Sequence, residues 1–355
     1  MRRYALLIAP SSNRVYAGEA ARITVAEVAA FGAAALEARL GDPHPITLGG
    51  VPYVEFSAEP ELTAQDIAQL SRVSTAYALF ELVDPVGGGE PTLRPLRLSP
   101  PARYDDDLVT ILKYPGKTNE QFTQLLLNLT VLATDRGGRA TDRKLVVLDP
   151  LCGRGTTLNV ALRYGYDVIG IESDRGQVEA YGAFLRTWLR RKRLKHHVEV
   201  APVRHHGKRV ARKLTATLAA SRDSHQAGQV ERVTVYEADT LRARELLRPG
   251  CCDVIVTDTP YGVAHGSRLP ERAGLARRPR DLLAAAVPGW AQLLRRGGAL
   301  GMSFNSQVAD REELAGLLTA AGLTVIADGA YGEFTHWVDQ SITREVLVAR
   351  KADAR

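Results

Sequence analysis

The chain has 355 residues, 45% of them hydrophobic and 24% charged, with a formal charge of +6 and a pI near 9.3. Such a composition excludes a fibrous or wholly disordered chain, and no apolar run of about 18 residues marks a helical membrane span. The three cysteines, Cys152, Cys251 and Cys252, supply neither an even set nor a C-x-x-C spacing, which excludes a disulfide framework and a zinc site and leads us to expect a reduced, cytoplasmic setting.

The first hundred or so residues read as a small α+β unit. Residues 4–9 are apolar and predict a strand, and too short a stretch for a signal peptide. The Ala-rich segment 24–40, with Val25, Val28, Phe31, Ala35 and Leu36 at roughly helical spacing, predicts a helix. Strands are expected at 51–57 and 75–83, with a helix over 63–70 capped by Thr63. Residues 84–105 carry many breakers, from Pro85 and Gly87-Gly88-Gly89 to Pro100-Pro101, and read as a linker. The expected division is therefore 1–105, a small ferredoxin-like domain with its linker, and 106–355.

From residue 145 onward apolar strands at 145–148, 167–171, 232–236, 253–257 and 299–304 alternate with helical stretches. This predicts a mostly parallel sheet covered on both faces. Two last strands, 324–327 and 345–349, read as an antiparallel hairpin at one edge. Between the second and third strands lies a basic insertion, about 190–230. Arg190, Arg191, Lys192, Arg193, Lys208 and Arg209 are its candidate phosphate contacts for a nucleic-acid partner, and a solvated charged surface is the plainer alternative. Its paired histidines lack a third ligand type nearby, so no metal site is expected there.

The most specific stretch is Asp149-Pro150-Leu151-Cys152-Gly153-Arg154-Gly155-Thr156-Thr157, which joins a strand to a helix through a glycine turn. A dinucleotide fingerprint needs a third glycine where Leu158 stands, and a Walker loop needs a glycine where Ile111 precedes Gly116-Lys117-Thr118. About twenty residues on, Glu172 ends the second strand, where an acid can accept from both hydroxyls of a ribose. Asp239 follows the third strand, where it can serve as a helix N-cap. Leaving the fourth strand is Asp258-Thr259-Pro260-Tyr261-Gly262. Ahead of the glycine turn, Lys117, Thr118 and Phe122 open a helix running to about residue 133 and suit a carboxylate and an apolar edge.

The glycine turn resembles motif I of the class I methyltransferases, and Asp258-Thr259-Pro260-Tyr261 resembles the Asp/Asn-Pro-Pro-Tyr motif IV of those that methylate base amino groups. Together with the small leading domain, the chain resembles the tRNA guanine-N2 methyltransferases built with an RNA-binding THUMP module. The resemblance implies a Rossmann-like seven-stranded sheet, mostly parallel with one antiparallel edge strand. It further implies S-adenosyl-L-methionine held by Lys117, Thr118, Phe122, Asp149, Cys152, Gly153, Gly155, Thr156, Glu172 and Asp239. Asp258 and the carbonyl of Thr259 would accept hydrogen bonds from the substrate amine, Pro260 would hold the turn, and Tyr261 would stack on the base. Thr259 departs from the motif's first proline. Two other readings stay open: a DNA adenine-N6 or cytosine-N4 methyltransferase, and a non-catalytic nucleic-acid-binding protein that keeps the fold.

Overall fold

The computed structural model describes the whole chain except residues 12, 86, 138–143, 206–207, 261–278, 328 and 353–355, and of residues 205, 208 and 209 the backbone alone. The N-terminal elements are β1 (Arg2–Ile8), α1 (Arg14–Ala35), β2 (Leu40–Leu48), β3 (Val51–Ala58), α2 (Ala64–Leu70), β4 (Ala76–Val83) and β5 (Thr92–Leu96). Their antiparallel sheet has the order β2-β3-β1-β4-β5, the split β-α-β arrangement of a ferredoxin-like unit with one strand added.

Helix α1 starts ten residues before the expected position. Asn13 caps it by accepting from the amides of Val15 (3.0 Å) and Tyr16 (3.2 Å), and it stops where Glu37 and Ala38 take positive φ. Strand β2 was absent from the sequence expectation, and β5 lies inside the expected linker. Both are edge strands carrying proline, Pro43 and Pro45 in one and Pro95 in the other, which only an edge tolerates and which hides them from a strand pattern.

The second sheet is built from β6 (Val146–Asp149), β7 (Asp167–Glu172), β8 (Lys195–His205), β9 (Lys208–Ala219), β10 (Glu231–Glu237), β11 (Cys252–Asp258), β12 (Leu294–Asn305), β13 (Leu323–Ile326), β14 (His336–Asp339) and β15 (Ile342–Lys351). Its helices are α3 (Asp107–Thr110), α4 (Glu120–Leu132), α5 (Thr156–Arg163), α6 (Arg175–Arg191), α7 (Arg222–Gln226), α8 (Ala243–Leu246), α9 (Pro279–Leu293) and α10 (Arg311–Ala320). The order is β13-β15-β12-β11-β6-β7-β10-β9-β8, with β14 pairing β15.

Among the described residues ten strands rather than seven form this sheet, and its antiparallel β15 lies between β12 and β13 instead of at an edge. The two last strands do pair antiparallel at that end of the sheet, as β13 and β15, and the connection between them holds the additional short strand β14. The basic insertion is a second departure. Its β8–β9 hairpin prolongs the sheet past β10, burying Leu214, Ala216 and Leu218 at alternate positions along β9, with Thr215 and Thr217 on the other face. Dense charge masked that alternation in the sequence.

The chain runs from β6 to β7 on one side and returns to β11 on the other, so the connections diverge between β6 and β11. In open α/β sheets this switch point opens the crevice in which ligands bind. The two sheets share one apolar core, in which Leu6, Ile23 and Phe31 belong to the same cluster as Leu125, Val147 and Val348. A polar network crosses the same contact. Glu27 of α1 accepts from the Ser74 amide (2.9 Å) and hydroxyl (2.6 Å) and from the Asn128 side chain of α4 (2.8 Å). Buried Arg72 donates to the Tyr166 hydroxyl (2.7 Å) and lies 4.8 Å from the Tyr164 ring centre. Among the described residues no helix is long and apolar enough to cross a membrane.

Candidate active site

A cleft of about 380 Å³ opens at the carboxyl ends of β6, β7 and β11, within the size range of small-ligand sites. Asp149, Cys152, Gly153, Thr156 and Glu172 line it together with Asp258, Thr118 and Phe122. Residues far apart in sequence thus converge at the switch point.

The glycine turn explains itself locally. Gly155 has φ +79° and a Cβ there would stand 2.5 Å from the Tyr181 ring, so only glycine starts α5 in this way. Gly153 has φ +49°, and a Cβ added to it meets nothing within 4 Å, leaving open space where a ligand can approach the backbone. Its N–H donates to Glu172 Oε2 at 2.9 Å, while Glu172 Oε1 accepts from the Asp174 amide at 2.7 Å. The end of β7 is thereby tied to the turn after β6. Burial raises the Glu172 carboxyl above its usual range, and its two amide donors oppose that shift.

Asp149 is 3% exposed and accepts from the Leu151 amide at 3.1 Å. Burial pushes its carboxyl up to about 7. Cys152 is buried too, and burial among carboxylates raises its thiol far enough to make it an inert packing group.

Asp258 ends β11 beside Ser303 of β12 in register. The Ser303 hydroxyl donates to Asp258 Oδ1, and the Thr118 hydroxyl, brought over the sheet by the start of α4, donates to Oδ2. Thr259 is 2% exposed; its amide (3.0 Å) and hydroxyl (2.9 Å) both donate to the Ser303 carbonyl. Thr259, where the motif has its first proline, therefore makes two hydrogen bonds that a proline's backbone and ring would not. Pro260 follows, exposed, and Tyr261 lies outside the described residues.

Two expected cofactor contacts lie elsewhere. Lys117 donates to the Val109 carbonyl (2.7 Å) and pairs with Glu120, holding the segment before α4 instead of lining the cleft. Asp239 is exposed and caps the short turn Thr240–Arg242 by accepting from the Leu241 amide (2.9 Å), the N-cap alternative of the sequence reading. Phe122 is fully buried at the cleft wall with the Arg344 guanidinium 4.5 Å from its ring centre.

Sequence reasoning missed Tyr114, Arg154, Gln177 and Ser303. The Tyr114 hydroxyl lies 2.8 Å from that of Thr156, the Arg154 guanidinium is 5.0 Å from the Tyr114 ring centre, and Arg154 donates to Gln177 (2.7 Å). None of these sits in a motif position that demands its type, so only proximity reveals them.

The basic residues divide between two ends of the sheet. Because α6 begins after β7 at the cleft edge, its last turn, with Arg190 and Arg191, lies at the opposite edge together with Lys192 and Arg193. Lys192 is moreover engaged by Asp105 and Asp107. By contrast, Arg212 pairs in register with Glu237 at the cleft end of β10, so the hairpin beyond it, with Lys208 and Arg209, extends past the cleft edge.

No protein-family model matches the chain, and no curated protein matches it in sequence. Solved structures do. One is magnesium protoporphyrin IX methyltransferase from Synechocystis with bound SAM, at 13% identity and TM-score 0.39 over 67% of this chain and 87% of that one. Another is a TehB-like SAM-dependent methyltransferase from Corynebacterium glutamicum, at 14% identity and TM-score 0.31 over 60% and 82%. A third is geranyl diphosphate C-methyltransferase from Streptomyces coelicolor, in complex with S-adenosyl-L-homocysteine, at 12% and 0.34 over 59% and 70%. At these similarities no substrate or activity passes from those proteins to this chain.

Proposed function

We propose that the chain is an S-adenosylmethionine-dependent N-methyltransferase acting on an exocyclic amine of a nucleic-acid base, with guanine N2 in tRNA as its substrate. The observation that carries the reading is the placement of Asp258 in one cleft with the Gly153 turn and Glu172. An acceptor for an amine and a cradle for a nucleoside share a single space.

The residues fit that cofactor. Glu172 keeps lone pairs beyond its two amide bonds for ribose hydroxyls, the open side of Gly153 admits close backbone approach, and Asp149 offers a carboxyl to a cationic amino group. Bound S-adenosylmethionine supplies an electrophilic methyl group. An aryl amine delocalises its lone pair into the ring, and acceptors at Asp258 and the Thr259 carbonyl that draw its protons out of plane make the nitrogen a better nucleophile. Thr118 and Ser303 hold the Asp258 carboxylate in one orientation by binding both of its oxygens. Tyr261, two residues after Thr259, supplies the stacking face, and the β8–β9 hairpin past the cleft edge contacts phosphate through Lys208 and Arg209.

The test is transfer of radiolabelled methyl from S-adenosylmethionine to separated bulk tRNA, ribosomal RNA and genomic DNA, followed by nucleoside chromatography. N2-methylguanosine recovered from tRNA supports the proposal. Label confined to DNA as N6-methyladenine or N4-methylcytosine replaces the substrate. No label in any pool from protein that binds the cofactor sinks the enzymatic reading.

A further inference from the structure

Trp337 stands out among the chain's three tryptophans. Trp188 and Trp290 are 3% and 0% exposed, and both donate their indole N–H inside the protein, to Asp107 and Thr240 respectively. Trp337 is 50% exposed on β14. Leaving so large an apolar ring in water forgoes its burial energy, and its neighbours make the position specific.

Strand β14 pairs with the first residues of β15, placing Trp337 opposite Thr343 and His336 opposite Arg344, while Arg344 lies opposite Asn305 at the carboxyl end of β12. Trp337 therefore sits on the same edge of the sheet as Asp258, three strand positions across and three residues further along, or about 17 Å at ~4.8 Å per strand and ~3.3 Å per residue. Paired residues project to one face, so Trp337 shares its face with Thr343. The Thr343 hydroxyl accepts from the exposed Gln307 side chain (3.2 Å), next to exposed Ser306. The charged groups nearby are Asp339, two residues on in β14, and Glu345, two residues on from Thr343 and paired with Arg311. Such a surface suits the face and edge of a nucleobase and not its phosphate. The basic hairpin occupies the other end of the same edge, four strand positions from β11, or about 19 Å. The catalytic strand thus lies between a phosphate contact and an aromatic face.

We propose that Trp337 is a stacking platform for an unpaired nucleobase of the substrate strand, within roughly five nucleotides of the methylated base at ~3.4 Å per stacked nucleotide. The proposal rests on the nucleic-acid reading of the cleft.

With the other two tryptophans buried, Trp337 alone reports on its surface by fluorescence. The full chain, with S-adenosylmethionine bound, is titrated with bulk tRNA and with an unstructured, fluorescein-labelled RNA of roughly 12 nucleotides. Anisotropy reports binding; tryptophan emission and acrylamide quenching report Trp337. Binding is expected to quench the emission and to protect it from acrylamide. Trp337→Leu should raise the dissociation constant and the KM for RNA about tenfold, with kcat within about twofold. Trp337→Phe should recover most of that loss, and cofactor affinity should be unchanged in both. RNA binding by anisotropy with no change at Trp337, or equal affinity in Trp337→Leu, overturns the platform while leaving the nucleic-acid reading intact. Absence of any anisotropy change removes the nucleic-acid reading, and the platform with it.

Discussion

The carbonyl oxygen of Ser303 accepts two hydrogen bonds from Thr259, one from its amide and one from its hydroxyl, while the Ser303 hydroxyl donates to Asp258. One residue of β12 thus fixes both the carboxylate and the turn that follows it. Restoring the motif's proline with Thr259→Pro should destabilise the protein by about 2 kcal/mol, since each lost buried bond costs about 1 kcal/mol. Thr259→Ser, which retains both donors, should lose far less. Chemical denaturation of the two variants checks this, and a proline variant as stable as the parent would show that the bonds contribute nothing.

Asp258→Asn should lower kcat by about 10²- to 10³-fold, the usual cost of removing one aligned polar group from a reacting centre. Cofactor affinity should stay within about twofold because the glycine turn and Glu172 are untouched. Equal turnover in the variant would remove Asp258 from the chemistry.

Asp149 is neutral below about pH 7 and ionised above it. A cofactor carrying a cationic amino group beside it should bind more tightly as pH rises from 6 to 8, and Asp149→Asn should flatten that dependence. Calorimetric titration across the range measures it. In the ligand-free protein the sign reverses: the folded carboxyl binds protons more tightly than the unfolded one, so this group's contribution to stability falls as pH rises toward 7.

Glu27 is fully buried between the two sheets, and burial pushes its carboxyl up from 4.5 to about 7. Its stabilising contribution is complete below about pH 4.5 and is lost as pH rises to 7, by about 3 kcal/mol from the shift. His336 acts oppositely, since burial lowers its ring to about 4 and stability is lost as pH falls from 6.5. The difference in unfolding free energy between the parent and Glu27→Gln isolates the first effect. It should change steadily between pH 4.5 and 7, and a constant difference would contradict the buried, shifted carboxyl.

Lys117→Met should leave cofactor affinity within about twofold and lower stability by about 1–3 kcal/mol, because the ammonium group serves the Val109 carbonyl and Glu120. A large loss of affinity without loss of stability would return Lys117 to the cofactor.

The glycine turn, Glu172 and Asp258 were legible in the sequence because each residue type answers a local demand: positive φ at Gly153 and Gly155, an acid at a strand end, an acceptor leaving a strand. The parallel strands were legible for the same reason, since burial on both faces writes a continuous apolar run into each. What the sequence left open depends on partners distant along the chain. Edge strands β2 and β5 tolerate prolines that disguise them, and β15 takes its place between β12 and β13 through long-range pairing alone. Whether Lys117 points into the cleft, whether Arg190 and Lys208 share a surface, and whether Thr259 is a loss or a replacement were decided by which groups the fold set within hydrogen-bonding reach. That proximity is a property of the packed sheet, and no local residue pattern encodes it.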